Sequence, residues 1–77
     1  MKRVTTQAEL AEKVGINQAY VSLALRRVKP ALHEGLKAIY ELAPAKEALI
    51  AFLEQKRTDE AARLEKWDER IARAKKL

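Results

Sequence analysis

The sequence predicts an all-α fold: a small four-helix domain with an N-terminal helix-turn-helix and a long C-terminal helix. Three observations carry that prediction. Ala, Leu, Glu, Lys, Arg and Gln dominate the 77 residues, and all six favour helix. The two Gly and two Pro fall where helices would change direction. Long Val/Ile/Thr alternations are absent, so no strand is expected.

Thr6-Gln7-Ala8-Glu9 is a capping box that opens the first helix. Leu10, Ala11 and Val14 face inward, and Gly15 ends the helix where a left-handed residue wants no Cβ. Asn17 is the N-cap expected for a second helix over about 18–27, with Val21, Ala24 and Leu25 inward. Pro30 disfavours helical geometry at Lys29 and so stops it. Pro30 also suits the first turn of a third helix, with the apolar stripe Leu32, Leu36, Ile39, Tyr40 and Ala43. Gly35 inside that stripe costs about 1 kcal/mol relative to Ala.

After Pro44 a last helical stretch runs from about Ala45 towards the end, and Leu49, Ile50, Phe52 and Leu53 complete a core. The polar run Gln55–Glu60 divides that core, residues 1–54, from a C-terminal extension, residues 55–77. Leu64, Trp67, Ile71 and Ala74 then recur at spacings of 3, 4 and 3, two heptads of a and d positions. The stripe reads as a dimer seam, in competition with a face folded back on the chain's own core. Asp59 with Arg63 and Glu69 with Arg73 are i,i+4 pairs in the favourable acid-first order.

Composition bounds the function. A chain this short buries only about 60% of its unfolded surface, and oligomerisation is a common remedy. With no Cys, disulfides and thiolate metal sites are excluded. No apolar run approaches the roughly 20 residues of a membrane span and no signal-peptide pattern opens the chain, so a cytoplasmic protein is expected. One Ser (Ser22), one His (His33) and no phosphate-binding Gly-rich loop leave no catalytic constellation. No enzyme activity, cofactor, metal or small-molecule ligand is expected. The net charge is +5, and residues 1–29 alone hold six bases and two acids. The positive field therefore sits around the first two helices.

Those helices meet the demands of a helix-turn-helix in register: Ala11 where the helices cross, Gly15 in the turn, Ile16 and Val21 as pins. The run TTQAELAEKVGINQAYVS resembles the helix-turn-helix of the lambdoid phage repressor and Cro family. PALHEGLKAIYELA is similar, more loosely, to that family's next helix, although Arg27 stands where the family has Gly. The resemblance implies a bacterial or phage-encoded transcriptional regulator acting at the nucleoid, with the second helix in the major groove of double-stranded DNA. It makes Gln18 the main base reader, since a Gln amide pairs bidentately with adenine. Ala19 is suited to a thymine methyl, Ser22 to a base or phosphate, and Tyr20 and Leu23 to apolar contact. Gln7, Asn17, Arg26, Arg27 and Lys29 become phosphate contacts, with Lys2 and Arg3 as a short arm. A single bidentate reader gives about 1–3 kcal/mol of discrimination, so two copies on a two-fold operator are expected. The alternative is a helical adaptor or antitoxin-type protein whose C-terminal helix binds a protein partner.

Overall fold

A computed structural model describes residues 3–60 and 64–77, with strands β1 (Val4–Thr5), β2 (Leu32–Glu34) and β3 (Lys37–Glu41) and helices α1 (Gln7–Val14), α2 (Gln18–Ala24), α3 (Leu42–Asp59) and α4 (Leu64–Lys75). The fold is therefore not all-α. A three-stranded antiparallel sheet of order β1-β3-β2 is set among the helices. Among the described residues no helix is long and apolar enough to cross a membrane.

The first two helices start and stop as their caps require. The Thr6 hydroxyl accepts the Glu9 N–H at 3.2 Å, and the Glu9 carboxylate accepts the Thr5 hydroxyl at 3.3 Å. Gly15 adopts φ 78°, and its N–H closes α1 on the Ala11 carbonyl at 2.9 Å. The Asn17 side chain accepts the Ala19 N–H at 2.9 Å and opens α2. That helix ends at Ala24, three residues short of expectation, because the chain tightens into a turn over residues 25–27.

The predicted third helix is a β-hairpin. Leu32 pairs with Ile39, His33 with Ala38 and Glu34 with Lys37, which leaves Gly35 and Leu36 as a two-residue turn. Gly35 has φ 62° and Leu36 does not have positive φ, as a turn with Gly at its first central position requires. The apolar stripe does not act as a helix face: Leu32 is 50% exposed and Leu36 fully so. What the strand geometry buries instead is Tyr40, opposite Thr5 on β1. Ile39 and Tyr40, β-branched and aromatic, suit that half-buried sheet surface.

The last stretch is two helices. Pro44 lies inside the first turn of α3, where a missing N–H costs nothing, so it does not delay the helix to residue 45. α4 folds back along α3, with Arg57 paired to Asp68 at one end and Leu77 beside Leu42 at the other. Leu10, Val14, Val21, Leu25, Leu49 and Leu53 are fully buried, and Trp67, Ile71 and Ala74 of α4 belong to the same core. Each large aliphatic side chain so buried contributes about 1.5–3 kcal/mol. Trp67, Ile71 and Ala74 of the heptad stripe are thus covered inside the chain, by α3 and α1. Trp67, Ile71 and Ala74 do not form an open dimer seam, and the side chain of Leu64 lies outside the described residues.

Candidate nucleic-acid interface

Asn17 and Gly15 aim α2. Its inward side carries Val21, which is buried, and its outer side carries Gln18, Ala19, Ser22 and Leu23, all exposed. Gln18 sits in a cleft of about 400 Å³ lined also by Thr6, Gln7 and Ala8 from the start of α1 and by Leu36, Lys37 and Ala38 of the hairpin. The turn between helices and the hairpin turn therefore bring an amide, an ammonium and an exposed leucine to one concave surface. Gln7 is tied in place, because its amide donates to the Tyr40 hydroxyl at 3.1 Å.

Tyr20 is not on that surface. It is half-buried on the inner side of α2, with its ring centroid 6.1 Å from that of Trp67, edge to face, and 6.2 Å from that of Phe52. The Lys56 ammonium stands 5.8 Å from its centre. These contacts pack α2 against α3 and α4, so Tyr20 stands on the inner side of α2 and not beside Gln18, Ala19, Ser22 and Leu23. The same ring system holds Trp67, on whose other neighbour Arg70 the guanidinium lies 4.6 Å from the ring centre.

The expected phosphate contacts divide into groups. Arg26, Arg27 and Lys29 are exposed beyond the C-terminal end of α2. The seven residues of α2 span about 10 Å, so Gln18 stands at one end of the helix and three cations follow the other. That span is comparable with the roughly 12 Å width of a major groove. Asn17 is exposed, with its side-chain oxygen engaged in capping. Arg3 is exposed at the opposite end of β3 from Lys37, next to Glu41 and Leu42, and is not brought to the Gln18 cleft. Lys2 lies outside the described residues.

Leu36 and Lys37 were missed by sequence reasoning. The signal was present: Glu34 and Lys37, opposite in charge, flank a Gly-X pair, which is a two-residue hairpin pattern. The arrangement can hydrogen-bond to base edges, present methyl and methylene groups, and neutralise phosphates. Comparison with protein-family models, with curated proteins and with solved structures returned no significant match.

Proposed function

We propose that this chain is a sequence-specific double-stranded DNA-binding protein that regulates transcription by occupying its site. One observation supports the reading above the others: Gln18, exposed at the start of a helix packed by its opposite side, shares a concave surface with Gln7 and the hairpin cation Lys37. In this reading α2 enters the major groove and Gln18 reads adenine, with Ala19, Ser22 and Leu23 beside it. Arg26, Arg27 and Lys29 hold the phosphates past the end of the helix, and Lys37 holds the strand bordering the cleft. Each copy still has one bidentate reader, so two copies on half-sites roughly 34–36 Å apart supply the discrimination that one lacks. Trp67, Ile71 and Ala74, covered by the chain's own core, are not the surface that joins them. The reading carries a cytoplasmic location, with the bacterial or phage DNA that the chain would bind.

Selection from a random duplex pool at physiological salt tests this reading. A two-fold symmetric winner is expected. Gln18→Ala should then reduce the preference for that winner over random duplex, while Arg26→Ala weakens binding to both. An unenriched pool, or equal effects of the two substitutions on preference, overturns the assignment.

A further inference from the structure

Away from the Gln18 cleft, the chain gathers cations around an apolar floor. Three adjoining concavities of about 400, 320 and 340 Å³ meet at Arg3 and Leu77, which line all three. Leu42, Ala43 and Leu77 supply apolar surface, and Val4 beside them is 53% exposed. Arg3, Lys13, Lys46, Arg73 and Lys76 stand around that surface. They come from the segment before β1, from α1, from α3 and from the end of α4, so the fold and not a local charge run assembles them. The neighbouring acids are fewer: Glu9 and Glu41 line the same concavities, and Glu69 is bound to Arg73 at 2.9 Å.

The two properties together select the occupant. A small inorganic anion would neutralise the cations and leave Val4, Ala43 and the open parts of the half-buried Leu42 and Leu77 in water. A purely apolar segment would cover the leucines and desolvate the cations without partners, which is costly. An acidic polypeptide with apolar anchors satisfies both, because charge complementarity steers it and burial of its anchors holds it. We propose that this groove docks an acidic, leucine-bearing segment of a partner protein.

The groove and the Gln18 cleft are separate places on the chain. Lys37 borders the cleft and Glu41 borders the groove, at opposite ends of β3 and about 13 Å apart along the strand. Among the described residues, none lines both. The inference therefore stands whether or not the cleft binds DNA.

Fluorescence anisotropy with the full chain tests it, using a labelled acidic peptide with leucines at i, i+3, i+4 and i+7 as the probe. The same peptide with serines at those positions is the control. The leucine peptide is expected to bind saturably and about tenfold or more tighter than the serine peptide. Lys13→Glu with Lys76→Glu should weaken it about tenfold and spare binding to a mixed-sequence duplex. Arg26→Glu with Arg27→Glu should do the reverse, with circular dichroism confirming that both pairs fold. No peptide binding overturns the proposal. So does equal binding of the two peptides with competition by pyrophosphate, which marks an anion site only. Equal loss through both charge-reversal pairs also overturns it, since it would mark attraction to net charge. Peptide binding without any duplex binding leaves the groove intact and removes the DNA reading.

Discussion

Replacing Tyr20 by Ala tests whether its ring packs α2 against α3 and α4 or serves as the DNA contact that the family resemblance implies. Its ring makes two aromatic contacts, with Trp67 and with Phe52, and lies under the Lys56 ammonium. Each aromatic pair contributes about 0.5–1.5 kcal/mol beyond burial. Truncating a large aromatic in a full core costs about 3–5 kcal/mol, and Tyr20 is only half-buried. A loss of about 2–3 kcal/mol follows. Domains have about 0.05–0.15 kcal/mol of stability per residue, so a chain this size has about 4–12 kcal/mol in all. The substitution should therefore lower the melting temperature by about 10–20 °C. Urea denaturation read through Trp67, the sole tryptophan and a direct neighbour of the ring, measures the change. A change under about 0.5 kcal/mol, combined with a selective fall in duplex affinity, would refute the packing role.

Other substitutions probe the turns and the last helix. Gly15→Ala forces a Cβ into left-handed backbone, 2.6 Å from Arg73 Nη1. The flexible guanidinium can move, so the backbone dominates and a loss of about 1–2 kcal/mol is expected by chemical denaturation. An unchanged midpoint would contradict the turn geometry. At Gly35 a Cβ meets nothing within 4 Å. Gly35→Ala should thus cost about 1 kcal/mol from conformation alone, and Gly35→Asn less, by thermal unfolding; equal costs would mean the turn does not hold this residue at positive φ. A chain ending at Glu60 removes the buried Trp67, Ile71 and Ala74. It should show no cooperative thermal transition by circular dichroism, and a sharp transition would mean that α4 is dispensable to the core.

The two ends of the chain differ in how much their sequence revealed. The helix-turn-helix was legible because each of its signals is local: a hydroxyl three residues before its amide, a Gly at the left-handed position, an Asn at the next cap. The hairpin carried one local signal, the Gly-X pair between Glu34 and Lys37, and a competing pattern masked it. Leu32, Leu36, Ile39 and Tyr40 mimic a helical stripe, and burial, which belongs to the tertiary structure, decides between a period of 3.6 and a period of 2. For Trp67, Ile71 and Ala74, a heptad pattern states that a face wants covering but not what covers it. At the candidate site, Gln18, Ala19, Ser22 and Leu23 are exposed, as helical spacing from the inward Val21 places them. Tyr20 lies one position round the same helix and turns inward, a difference that depends on Phe52 and Trp67 arriving from far along the chain.

The salt dependence of duplex binding reaches the central claim most directly. If Arg26, Arg27, Lys29 and Lys37 neutralise phosphates, log K should fall linearly with log salt at about −0.9 per contact, a slope near −3 to −4. Arg26→Ala with Arg27→Ala should flatten that slope by about 2. A slope close to zero, or one that the double substitution leaves untouched, would contradict the account.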